Sequence, residues 1–139
     1  MNFADLGLGP ALLSAIERAK YESPYPIQLE AIPAILHGKD LLGLAPTGSG
    51  KTAAYILPIL QQLLGKEAPR DRSVPVLVLV PTRELAVQVA EVAENFGRFL
   101  PRRIKSLAIF GGVSINPQMM KLGGTEILIA TPGRLIDLM

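Results

Sequence analysis

Apolar residues recur at helical spacing over residues 10–20, at Leu12, Leu13, Ile16 and Ala19. They do so again over residues 27–36, at Ile27, Ala31, Ile32, Ile35 and Leu36. Pro26 stands where this second helix would begin and His37-Gly38 where it would end. Gly38 is the expected left-handed stop, and the helix dipole favours His37 at that position. The pattern then changes. Asp40-Leu41-Leu42-Gly43-Leu44 is a short apolar run that predicts a buried strand, and a helix follows to about Leu64, kinked at Pro58. Residues 65–73, with Pro69 among charged neighbours, predict an exposed loop. Val76-Leu77-Val78-Leu79-Val80 is wholly apolar and closed by Pro81, the signature of a strand covered on both faces. Thr82 is the expected N-cap of a helix from Arg83 to Phe99, whose apolar face runs Leu85, Val89, Val92, Phe96. Strands are expected over residues 104–110 and 127–130, a short helix over 115–122, and a further helix from Pro132.

Strands alternating with helices predict an α/β domain with a mainly parallel sheet flanked by helices. Two regions are expected: a helical one at residues 1–38 and an α/β core at 39–139. Ligands of such sheets bind at the carboxyl ends of the strands. Four polar or glycine-bearing segments fall there: residues 45–52, Pro81-Thr82-Arg83, Gly111-Gly112 and Thr131-Pro132-Gly133-Arg134.

Composition narrows the picture. With 139 residues, 49% hydrophobic and 19% charged, the chain can bury the core of one domain. No apolar run approaches the ~20 residues of a membrane span. The absence of cysteine excludes disulfides and cysteine-ligated metal, and fits a cytoplasmic protein. His37 is the only histidine, so a histidine metal site finds no support. The net charge of +2 says little. Lys66, Arg70 and Arg72 form one basic run and Arg102, Arg103 and Lys105 another, and both are expected to be solvated loop faces.

The strongest chemistry lies in Ala45-Pro46-Thr47-Gly48-Ser49-Gly50-Lys51-Thr52. Between an apolar strand-like run and a helix, this is the context of a phosphate-binding loop. Gly48 and Gly50 let the backbone curl so that several N–H groups face one anion, and the new helix adds its positive end. Lys51 would reach the β- and γ-phosphates, and the Thr52 hydroxyl would hold Mg²⁺. Ala45 occupies the first glycine position of the strict G-x-x-x-x-G-K-T pattern.

With these residues set out, the chain resembles the DEAD-box RNA helicases, in their first RecA-like domain. Lys20-Tyr21-Glu22-Ser23-Pro24-Tyr25-Pro26-Ile27-Gln28 is similar to the Q motif, with Phe3 as its isolated upstream aromatic. Residues 45–52 match motif I, and Pro81-Thr82-Arg83-Glu84-Leu85-Ala86-Val87-Gln88 matches motif Ia. Gly111-Gly112 and Thr131-Pro132-Gly133-Arg134 match the GG and Ib segments. Two positions depart from the family: Lys20 stands for the usual Gly, and Tyr25 for the usual Thr or Ser.

The resemblance implies ATP or ADP with Mg²⁺ as cofactors. Gln28 would read the adenine edge against GTP, Tyr21 would lie on the ring, and Phe3 would support that pocket. Ala45, Thr47, Gly48, Ser49 and Gly50 would face the phosphates with Lys51 and Thr52. RNA would bind weakly and without sequence preference through its phosphates. Thr82, Arg83, Thr131 and Arg134 would contact them, Gly111 and Gly112 would allow close approach, and Gly133 would give the turn. The family's Asp-Glu-Ala-Asp motif and second RecA-like domain are expected after Arg134, whereas the sequence stops at Met139 and Met1 resembles a native start. On that reading this is a truncated piece, inactive in ATP hydrolysis and unwinding by itself, and prone to dimerise or swap domains. The alternative is a stand-alone adenine-nucleotide-binding adaptor.

Overall fold

A 3-10 turn at Phe3–Leu6 opens the chain, capped by Asn2, whose side chain accepts from the Ala4 N–H at 2.9 Å. Helices α1 (Pro10–Arg18), α2 (Pro26–Leu36) and α3 (Lys51–Leu64) follow. Then come strand β1 (Val76–Leu79), α4 (Arg83–Gly97), β2 (Lys105–Ile109), α5 (Ile115–Met120), β3 (Thr125–Ala130) and α6 (Pro132–Leu138). The computed structural model describes residues 1–71 and 73–138, so Arg72 and Met139 lie outside the described residues. None of the described helices is long and apolar enough to cross a membrane.

Two compact units are present. The first comprises Met1–Lys66 and Asn95–Arg103. Here α2 packs on α3, with Ala31 and Ile32 buried from one helix and Ile56, Leu57 and Leu60 from the other. Gln61 Oε1 accepts from the Gly9 N–H at 2.6 Å, and Gln62 Nε2 donates to the Ile35 carbonyl at 3.1 Å. Gly38 adopts φ +75°, the expected helix stop. Helix α3 runs through Pro58.

The second unit comprises Glu67–Glu94 and Ile104–Met139 and holds a parallel sheet of order β1-β3-β2. The central strand β3 is buried along its whole length. Ile109, Leu128 and Ala130 form its core, with Val74, Leu107, Leu122, Leu135 and Leu138 packed around them. The three strand ends are level, because Leu79 and Ile109 both pair with Ala130. Residues 81–83, 111–112 and 131–134 therefore leave the sheet at one rim.

Several expectations need correction. Residues 40–44 form no strand, and Leu42 and Leu44 are each 87% exposed. A strand requires a neighbour for its N–H and C=O groups, and no sheet pairing reaches these residues. Nor is β1 covered on both faces, since Leu77 and Leu79 are 49% and 55% exposed while Val76 and Val78 are half-buried. It is an edge strand with one protected face. The buried stripe of α4 is Ala86, Val89, Ala93 and Phe96, with Leu85 and Val92 at its flanks. Ala86 and Ala93 alternate there with Val89 and Phe96, so the expected Val89 and Phe96 are on the seam while Leu85 and Val92 are not.

Candidate functional site

Residues 45–52, the expected phosphate loop, belong to the first unit. Gly48 and Gly50 both take φ +81°, a region that residues with a Cβ avoid. The Ser49 N–H donates to the Pro46 carbonyl at 3.2 Å and closes the turn. Lys51 opens α3, so loop and helix are continuous. Lys51 and Thr47 are exposed, and Ala45 and Thr52 are half-buried. The Ser49 Oγ is buried and has no hydrogen-bond partner among the described residues. A buried hydroxyl without a partner is costly. Beside two left-handed glycines and a helix start, it fits a loop whose remaining acceptor is a bound anion. The residues present thus suit the phosphates of a nucleotide.

Gln28 is fully buried on α2. Its Oε1 accepts from the Tyr25 N–H at 3.0 Å, and its Nε2 donates to the Gly50 carbonyl at 3.1 Å. One side chain therefore joins the segment before α2 to the phosphate loop. The contact is close: a Cβ on residue 50 would sit 2.4 Å from Gln28 Nε2 and 2.8 Å from Tyr25 Cδ2. Residues 20–26 line an open cleft of about 490 Å³, within the size range of small-ligand sites. Tyr21 lies in it with its ring centroid 5.0 Å from that of Phe96. Phe3 is buried in the core of this unit. Lys20 has φ +65°, the one non-glycine among the described residues in the left-handed region.

Tyr55, one turn beyond Thr52, had no role in the sequence reading. Burial pushes its phenol above the ordinary tyrosine range, against a hydrogen bond with Thr52 that pulls the other way. The i, i+3 spacing was the available signal.

In the second unit, the Thr82 Oγ1 accepts from the Leu85 N–H at 3.2 Å and caps α4 as expected. Thr82 and Arg83 are exposed. The Arg83 guanidinium lies 5.8 Å from the Phe110 ring centroid, within cation–π range. Gly112 takes φ +85°, and both Gly111 and Gly112 are exposed. The Thr131 N–H donates to the Ile109 carbonyl at 3.2 Å, and Thr131 then accepts the first bond of α6. Gly133 does not form a turn: it lies in the first turn of α6 without a positive φ. The side chain of Arg134 is only 10% exposed and faces protein partners on three sides.

The second basic run is also not a plain solvated face. Arg102 Nη2 donates to the carbonyls of Leu63 at 2.6 Å and Lys66 at 2.9 Å. The Leu63 carbonyl, in the last turn of α3, also accepts from the Lys66 N–H at 3.1 Å, so Arg102 adds a second donor there and ties the end of α3 to the residues just beyond it. Lys105 lies in β2, and its Nζ donates to the carbonyls of Lys121 and Gly123.

Known proteins resemble this chain in sequence and in fold. The DEAD/DEAH box helicase family model matches residues 25–139. The chain is 48% identical over 137 residues to the ATP-dependent RNA helicase DeaD of Escherichia coli K12, covering 98% of this chain and 21% of that protein. It is 49% identical to the ATP-dependent rRNA helicase rrp3 of Sclerotinia sclerotiorum, covering 98% and 27%. The structure superposes on the RNA helicase Prp28 from Chaetomium thermophilum bound to ADP with a TM-score of 0.86 and 42% identity, over 99% of this chain and 34% of that one. A DEAD box protein from Methanococcus jannaschii gives the same TM-score, 0.86, at 36% identity, over 99% and 36%. The chain spans between a fifth and about a third of these relatives' lengths.

Proposed function

The chain belongs to the DEAD/DEAH box helicase family, and from this premise we propose that it forms the ATP- and RNA-binding part of the first RecA-like domain of an RNA helicase. The phosphate loop carries the proposal: two left-handed glycines, a helix start and a buried hydroxyl with no protein partner. ATP or ADP sits with its phosphates against Gly48, Ser49 and Gly50, beside Ala45 and Thr47. Lys51 neutralises charge, and Thr52 supplies an oxygen to Mg²⁺. A bound Mg²⁺ would supply charge neutralisation to the phosphates. Tyr21 takes the adenine, with Phe3 buried behind, and Gln28 reads the adenine edge by releasing the bonds it makes to Tyr25 and Gly50 in the free chain. RNA phosphates run along the rim of Thr82, Arg83, Gly111, Gly112, Thr131 and Gly133, with Arg134 beside them. The parent protein couples nucleotide turnover to local opening of RNA duplexes, with a second RecA-like domain as its partner.

Titration calorimetry with ADP and GDP tests the reading. ADP binding with little or no GDP binding is expected. In Gln28→Ala, the preference for ADP over GDP should collapse. If both nucleotides instead weaken by the same factor, Gln28 serves only the loop. If neither binds the native chain, the nucleotide reading fails.

A further inference from the structure

The Gly111-Gly112 loop has little to hold it. Its residues are exposed, and a Cβ on Gly111 would meet nothing within 4 Å. Both of its ends are nevertheless tied. Gln118, buried on α5, donates from Nε2 to the Phe110 carbonyl at 3.2 Å. Its Oε1 accepts from Arg134 Nη1 at 3.0 Å. Arg134 Nη2 then donates to the Val113 carbonyl at 2.9 Å. The carbonyls on either side of the two glycines are thus held by one connected pair of side chains. Asp137, 3.5 Å from Arg134 Nε, balances the charge.

We infer that Gln118 and Arg134 are positioning residues that hold the Gly111-Gly112 loop in the shape that receives an RNA strand, Arg134 acting through the loop and not on a phosphate. The inference rests on the RNA reading above. A guanidinium that is nearly buried and bound to two protein acceptors would have to leave them to reach a phosphate, and the acceptors would then lose their donors. The bare glycine backbone is what remains for RNA on this loop.

Two measurements test it. In the RNA-free chain, NMR order parameters of Gly111 and Gly112 should fall from about 0.85 to below about 0.6 in Gln118→Leu. Those of Ile127 and Ile129 in β3 should stay high, showing that the variant folds. Gln118→Glu keeps the acceptor for Arg134 but loses the donor to Phe110, and should give an intermediate value. Order parameters unchanged in Gln118→Leu overturn the brace.

The second measurement titrates a short oligouridylate across a series of KCl concentrations. Gln118→Leu and Arg134→Gln should each weaken binding by about five- to tenfold, the loss of one or two hydrogen bonds. The double variant should be no worse than the weaker single one, and the slope of log K against log [KCl] should be unchanged. If Arg134→Gln lowers that slope by about 0.7 while Gln118→Leu binds normally, Arg134 is a phosphate ligand and the inference is overturned. If RNA shifts no amide of Gly111, Gly112 or Thr131 in the native chain, the RNA reading fails. The order parameters then separate that failure from failure of the brace.

Discussion

At the scale of single residues, backbone angles locate the sites more sharply than composition does. Lys20 occupies a left-handed position that costs an L-residue about 1–2 kcal/mol, partly offset by the greater freedom of glycine in the unfolded chain. Lys20→Gly is therefore expected to raise stability by about 0.5–1 kcal/mol, read as a shift in the urea midpoint at constant m-value. This departure from the family was legible in the sequence as a missing glycine. Its φ was not, because nothing in Lys20 itself announces the turn. Tyr55 makes a pH-dependent contribution of definite sign. Its phenol is harder to ionise in the folded state than in the unfolded one. Both states are neutral below the ordinary value of 10.0, so the contribution is constant there. As pH rises above that value, the unfolded state ionises first and stability falls. Chemical denaturation at pH 8 to 11 should show this loss, and Tyr55→Phe should lessen it.

At the scale of elements, the helices and the loops that follow strands were legible, because helical period, proline and capping chemistry are local signals. Thr82 capping α4 and Gly38 stopping α2 are examples. Sheet membership was not legible. Residues 40–44 and 76–80 look alike as apolar runs, yet only the second makes a strand. Pairing decides the difference, and pairing is not local. The start of β3 was missed for the opposite reason: Thr125 and Glu126 are polar but buried. Arg102 shows the same limit, since its run of charge hid its role on the end of α3. Arg102→Ala should lower stability by about 1–2 kcal/mol by removing the charged donor that the Leu63 and Lys66 carbonyls share. Arg102→Lys should recover only part of that, because an ammonium lacks the planar fork. Thermal melts of the three proteins check this.

For the molecule as a whole, the family and the glycine-bearing turn before α3 were readable from ordered short segments, while Gln118 was not, being one amide in a short helix without a motif. Exposed leucines bear on a prediction for the chain in solution. Leu42 and Leu44 stand almost fully in solvent, and among the described residues β1 has a sheet neighbour on one side only. Such surfaces favour self-association. Sedimentation velocity should show a weight-average mass that rises with concentration, and Leu42→Ser with Leu44→Ser should reduce the rise. A monomer at every concentration would count against it. The bond from Gln28 to the Gly50 carbonyl has a consequence in time. That carbonyl also receives the Ala54 N–H at 3.1 Å, so it is held by two donors at once. Turning it requires a buried amide to let go where no water can replace its partner. The loop should then change shape in rare, slow jumps between a few arrangements, where a free glycine turn would drift continuously. The waiting time between jumps belongs to a glutamine 22 positions earlier in the chain.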